Sequence, residues 1–286
     1  MAAPFYFLVF IVGLFFGSFL NLISDRITKK QPIILGRSKC DFCKKTLKPK
    51  NLIPLLSYAL QKGKCSFCHK KLSLYYPFSE ILVGVLFVLA AYLSQWRISS
   101  FLYLCVVLSF YAAILLTDLK HLIIPDKIVW PAILFVLLYS VGICLYRIYQ
   151  IYTKVSESPL GKYLIRVGYL RNQILWESKS FGLLIVSSVA IGLFFLLLII
   201  ITKGRGMGGG DVKLGLLIGL FNGFPYNVLG VFLGFVAGSL VSILLIVMKK
   251  KTMKDIVPFG PFLIVGSIIS LVWGRAILNW YIGFMG

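Results

Sequence analysis

Eight stretches of the chain are apolar for most of their length, and the polar residues between them fall into compact blocks. The stretches are Phe5–Ile23, Ile81–Ser94 (extended back toward Pro77), Phe101–Thr117, Ile128–Leu145, Phe181–Thr202, Val212–Phe221, Asn227–Met248 and Phe259–Ile282. Crossing a bilayer takes about 20 apolar residues in helical form. The pattern therefore predicts an all-α polytopic membrane protein with about eight transmembrane helices. The sixth is short and is closed by a turn around Gly223 and Pro225. Residues 1–23 form the first span, 24–77 a small polar loop region, and 78–286 the main transmembrane core. Within that core, 146–179 is a basic outer loop.

Charge sharpens this picture. The 286 residues hold 30 Lys and Arg against nine Asp and Glu, a net charge of +21, yet 59% are hydrophobic and only 14% are charged. A disordered basic tail or a histone-like nucleic-acid binder needs polar sequence, so both are excluded and no nucleic-acid partner is expected. No Lys or Arg precedes the first span, whereas Arg26, Lys29 and Lys30 follow it. This is the reverse of a secretory signal, so the span is expected to remain uncleaved. Basic residues stay on the cytoplasmic side. The N-terminus is thus expected outside and residues 24–76 inside. Alternation through the spans places 22 of the 30 basic residues inside and eight outside. Most of the charge reads as orientation and adhesion to anionic membrane lipid. In the outer loop, Leu160, Tyr163, Leu164, Val167, Leu170 and Ile174 recur at helical spacing. They predict an amphipathic helix lying on the membrane or packed on the outer span ends.

Two of the six cysteines, Cys105 and Cys144, lie alone in spans and read as small apolar filler. The others form two Cys-x2-Cys pairs, Cys40/Cys43 and Cys65/Cys68, with 21 residues between them. That spacing predicts a tetrahedral four-cysteine zinc site. Arg37, Lys39, Lys44, Lys45, Lys64, Lys70 and Lys71 surround the thiols and favour thiolate. Disulfides seldom persist in the cytoplasm, although a disulfide pair and a redox switch are the alternatives. Four thiolates leave no position for water, so the zinc would be structural, pinning a loop too short to build its own core. His69 reads as a surface residue.

The nine acids divide further. Asp25, Asp41, Glu157, Glu177 and Asp255 stand among basic residues and read as solvated ion-pair partners, while Glu80 opens a span, where a helix N-terminus favours an anion. Asp126 follows Pro125 and reads as an N-cap. Asp211 could also be an N-cap, but that leaves the five glycines of Gly204–Gly210 unexplained. Glycines there suit a hinge or the close approach of another backbone. Asp118 ends a span, the wrong end of the helix dipole for a carboxylate. The topology puts Asp118 and Asp211 at the same depth, both at the cytoplasmic boundary, where ionisable groups tend to be functional. Two carboxylates sharing one proton could activate water and protonate a scissile amide.

These residues resemble those of the bacterial type IV prepilin peptidases. Gly206-Met207-Gly208-Gly209-Gly210-Asp211-Val212-Lys213-Leu214 is similar to the family's second active-site motif, which has the form GxGD. Thr117-Asp118-Leu119-Lys120 with Ile124-Pro125-Asp126 is similar to the first. Gly17-Ser18-Phe19-Leu20-Asn21, the cysteine pairs, Asn51-Leu52-Ile53-Pro54, Tyr76-Pro77 with Glu80, and Pro258-Phe259-Gly260-Pro261 also fit. The resemblance implies an intramembrane aspartyl protease that removes the basic leader of prepilins or pseudopilins after Gly, at the cytoplasmic face of the bacterial inner membrane. It implies catalytic Asp118 and Asp211, with Asp126, Gly208, Gly210 and Lys213 in support. It also implies methylation of the new N-terminus with S-adenosylmethionine, for which no binding residues stand out. A transporter with proton-relaying aspartates and a secretion-assembly scaffold docking through the zinc loop are the competing readings. The substrate's identity and the oligomeric state are left open.

Overall fold

The computed structural model of the protein describes residues 2–32, 38–40, 42–204, 207–250, 252 and 257–285. Among them there is no strand, only helices and two isolated bridges in the cysteine loop. Seven helices are long and apolar enough to cross a membrane. The short sixth run proves to be the interior of a 14-residue helix, Gly209–Asn222. At 1.5 Å per residue that helix is about 21 Å long, short of a ~30 Å hydrocarbon layer. The chain divides into two compact units, residues 1–128 and 129–286.

The first unit contains α1 (Ala2–Thr28), α2 (Leu56–Leu60), α3 (Tyr75–Leu93) and α4 (Ile98–His121). Helix α1 packs on α3 and α4, and α3 on α4. The α1–α3 seam is close because Gly13 and Gly17 stand one turn apart on α1. A Cβ at either would lie 2.7 Å from a backbone Cα of α3, that of Gly84 or Glu80. Small residues let membrane helices approach in this way. Below the glycines the seam turns polar. The Asn21 amide donates to Ser79 Oγ at 2.5 Å. The Ser24 and Thr117 hydroxyls meet at 3.0 Å. The Tyr75 hydroxyl donates to the Leu116 carbonyl at 2.8 Å.

α1 runs five residues beyond the expected end of the first span, and this corrects the reading of Asp25. It is no loop acid: it sits in α1, with a side chain 20% exposed, and pairs with Lys120 Nζ at 2.5 Å. Glu80 is likewise not at a helix start. It lies six residues into α3, is 7% exposed, and accepts the Leu55 N–H at 2.8 Å. It anchors the polar loop to the bundle.

The second unit holds most of α5 (Asp126–Ser156), together with α6 (Gly161–Arg166), α7 (Tyr169–Ile201), α8 (Gly209–Asn222), α9 (Tyr226–Val247) and α10 (Gly260–Met285). Its centre is apolar and small-residue packed. α8 lies against α7 so closely that a Cβ on Gly219 would stand 2.5 Å from the Ser188 Cα. Gly215 faces the fully buried Phe195 ring, which stacks on Phe235 with centroids 5.9 Å apart. α9 and α10 touch through Gly266, where an added Cβ would strike the Gly230 carbonyl and the Gly234 amide.

The basic region at residues 146–179 differs from the single amphipathic helix expected over residues 160–174. α5 extends to Ser156 and α7 starts at Tyr169, so most of the region continues the two spans. Between them α6 covers six residues and stops before Gly168, whose φ of 80° breaks the run. Glu177 lies in α7 and pairs with Arg147 at 3.6 Å.

Candidate active site and metal centre

The four loop cysteines converge. Their Sγ atoms all lie within 4.8 Å of one another, and Cys40 and Cys65 are buried. Zn–S bonds of about 2.3 Å set in a tetrahedron space sulfurs roughly 3.8 Å apart. The Cys40–Cys68 separation is 4.0 Å, close to that spacing, so the set could hold a metal ion.

The local fold explains the convergence. Lys39-Cys40-x-Phe42-Cys43-Lys44-Lys45 and Lys64-Cys65-x-Phe67-Cys68-His69-Lys70 are the same knuckle used twice. In each, the first cysteine's N–H bonds a carbonyl five residues on, that of Lys45 or Lys70, at 3.0 Å. In each, the residue after the second cysteine, Lys44 or His69, turns left-handed. The copies then clasp one another: Lys45 Nζ lies 5.5 Å from the Phe67 centroid and Lys70 Nζ 5.0 Å from that of Phe42. The Cys68 and Phe67 N–H groups donate toward Cys65 and lower its thiol to about 7, whereas Cys68, despite the Lys70 N–H, is pushed up by burial and the neighbouring sulfurs to about 11. His69 is exposed, as expected, and Cys105 is buried. Arg37 and Asp41 lie outside the described residues.

Asp118 occupies the last turn of α4 and is 5% exposed. Its carbonyl receives the N–H of Leu122, a left-handed residue that closes the helix. Its neighbours are tied to α1: Thr117 to Ser24, Lys120 to Asp25, and His121 Nε2 to the Thr28 hydroxyl at 3.3 Å. Asp126 is the first residue of α5 rather than the residue before it, and is exposed.

Asp211 is 7% exposed and is the third residue of α8, not its N-cap. Gly208 takes the cap position, and its N–H donates to Asp211 Oδ2 at 3.1 Å. This is the reciprocal half of a capping box. Gly208 and Gly209 face open space: a Cβ on Gly209 would meet nothing within 4 Å. No internal packing therefore demands glycine there. Lys213 is half-buried one turn into α8. Arg205, Gly206 and Asp255 lie outside the described residues.

The structure thus unites the cysteines but divides the aspartates between units, Asp118 with Asp126 in the first and Asp211 with Gly208, Gly210 and Lys213 in the second. Sequence reasoning missed Asp25, Ser24 and Tyr75, which brace the end of α4. One signal was present, the spacing of Gly17, Asn21 and Thr28 along a single face of an otherwise apolar span.

Residues 11–94 match the bacterial peptidase A24 N-terminal domain, and residues 105–243 match the type IV leader peptidase family. The chain is 31% identical over 276 residues to a prepilin leader peptidase/N-methyltransferase of Bacillus subtilis, covering 96% of this chain and 97% of that protein. It is 27% identical to one from Legionella pneumophila over 98% and 96% of the two chains. To one from Pseudomonas aeruginosa it is 26% identical, over 96% and 93%. No solved structure matches. The chain belongs to the type IV leader peptidase family.

Proposed function

We propose, on the premise of that membership, that this multi-pass protein of the bacterial inner membrane cleaves prepilin or pseudopilin leaders and then methylates the new N-terminus. The observation that carries this is likeness along almost the whole chain to three proteins of that one name. The same likeness displaces the transporter and scaffold readings.

In the reaction, Asp118 and Asp211 hold one proton between them, since two carboxylates at one water cannot both ionise. The ionised carboxylate takes a proton from water as the oxygen attacks the carbonyl carbon of the leader's last Gly. The protonated one gives its proton to the amide nitrogen, and the C–N bond breaks. Burial of both acids and the one-sided hold of Gly208 on Asp211 support this division of labour. The open flank of Gly208 and Gly209 leaves room for an extended substrate backbone, with Gly210 and Lys213 completing the turn. Asp126 supports the site from the start of α5.

The N-terminus lies outside and residues 24–77 inside. A substrate with a basic leader and an apolar helix then presents its bond at the cytoplasmic boundary. Cys40, Cys43, Cys65 and Cys68 hold a structural zinc, which fixes the loop and takes no part in cleavage. S-adenosylmethionine supplies the methyl group to the new amine.

Incubation of detergent-solubilised protein with a prepilin tests the reading by product mass. The expected products are the free leader and a mature chain heavier by one methyl group when S-adenosylmethionine is present. An unchanged prepilin would sink the reading. Metal analysis should find one zinc per chain, and less in a Cys65→Ser variant.

A further inference from the structure

At about 21 Å, α8 stops short of the membrane surface that lies away from Asp211, and its neighbours show by how much. Beside it in α7, the chain carries no charged residue from Ser180 to Thr202. That stretch is about 34 Å long as a helix, enough to cross the hydrocarbon. The end of α8 and the start of α9 meet α7 well inside this stretch. Gly219 packs on Ser188, and the Asn227 amide donates to Ser187 Oγ at 2.9 Å. Ser187 lies eight residues, about 12 Å, from Lys179. On α10, Ser270 Oγ donates to the Tyr226 carbonyl at 2.6 Å. The first charge beyond it is Arg275, five residues or about 8 Å further on. Both counts set the α8–α9 turn inside the charged ends of the helices that flank it.

The turn itself is built for an apolar setting. No charged residue occurs from Leu214 to Met248. Phe224 and Val228 are the exposed apolar residues at the turn. Helix ends leave backbone groups that water satisfies at a surface. Here the side chain of the fully buried Asn227 serves both ends. Its Oδ1 accepts the Val228 N–H at the start of α9, at 2.8 Å, and its amide donates to the Gly219 carbonyl near the end of α8, at 3.4 Å. Asn222, the last residue of α8, exchanges two hydrogen bonds with Ser267 of α10.

We infer that lipid, not water, covers the α8–α9 turn, and that the leaflet there is drawn in by about 9 Å, the shortfall of α8 against a ~30 Å layer. The partner is a phospholipid with short acyl chains. Such a lipid shields Phe224 and Val228 while leaving Lys179 and Arg275, both exposed, at the headgroups. Longer chains would have to compress at the turn or bury the two charges. The inference needs only the membrane location of the unit, so it stands apart from the cleavage chemistry.

The test uses the full chain in nanodiscs, open on both faces, made of phosphatidylcholines with acyl chains from about 14 to about 22 carbons. Phe224→Cys and Val228→Cys, at exposed positions, are compared with Ser178→Cys beside Lys179, using a charged maleimide and wild-type protein as background. Both turn cysteines are expected to react at least about tenfold more slowly than Cys introduced at Ser178. Phe224→Lys is expected to lower Tm by roughly 5 °C more in the longest chains than in the shortest. Turn cysteines that react as fast as the Ser178→Cys control would overturn the inference in favour of a water-filled funnel. So would a Phe224→Lys loss that does not change with chain length. Neither readout uses leader cleavage, so a failure here leaves the functional reading untouched.

Discussion

The two units place their polar bonds differently with respect to the aspartate each carries. In the first, hydroxyl, amide and carboxylate contacts run down the α1 seam and end around Asp118: Ser24 on Thr117, Tyr75 on Leu116, Asp25 on Lys120. In the second, they gather at the far end of α8. There Asn222 exchanges bonds with Ser267 at 2.9 and 3.0 Å, and Asn227 holds Ser187 at 2.9 Å. Asp211 lies about 17 Å up the helix from Asn222, eleven residues at 1.5 Å each. What holds it there is its own capping box and a glycine-flanked turn. One carboxylate sits on a helix end whose neighbouring residues are tied to α1 and α3. The other sits in the first turn of a helix clamped at its opposite end.

The widest break in this contrast comes from the acids themselves. Asp118→Asn and Asp211→Asn are each expected to lower kcat for leader release by about 10²–10⁴-fold, with the helical circular dichroism unchanged. Next is Gly219→Leu, which drives a side chain into the Ser188 backbone. Thermal unfolding in nanodiscs should show a loss of about 3 kcal/mol. Gly209→Ala has free space and lies in the first turn of α8. It should gain stability, by about 0.5 kcal/mol, yet lower kcat/KM as it narrows the substrate's approach. Ser24→Ala removes one interhelical hydrogen bond. It should cost about 1 kcal/mol, with leader cleavage slowed because Thr117 loses its brace. Lys70→Ala should cost least, about 0.5–1 kcal/mol, read as faster proteolysis of the loop around Phe42.

Much of the molecule was legible in its sequence for physical reasons. Long apolar runs have no stable alternative to membrane helices, so the spans were plain. Four thiols at knuckle spacing admit few geometries, and Asp118 stood out because no helix-capping role explains a carboxylate at that end. Span ends were less legible. α1 continues through Ser24 and Asp25 because their partners, Thr117 and Lys120, arrive from α4, more than 90 positions away. A polar residue reads as a loop until the helix that satisfies it is known. The sixth run was read as short, and α8 does end after 14 residues, before Gly223. Glu80 was read from its place near a helix start, while its actual role, gripping the Leu55 N–H, depends on how the loop returns to α3.

The central claim is that one carboxylate from each unit acts on a single water. Leader cleavage by Asp118→Asn, Asp211→Asn and the double variant, measured side by side, tests it most directly. Residues working as one unit lose nearly all their contribution at the first substitution, so the double variant should be no slower than the slower single. Rate losses that multiply in the double variant, or wild-type cleavage by either single variant, would contradict a shared water.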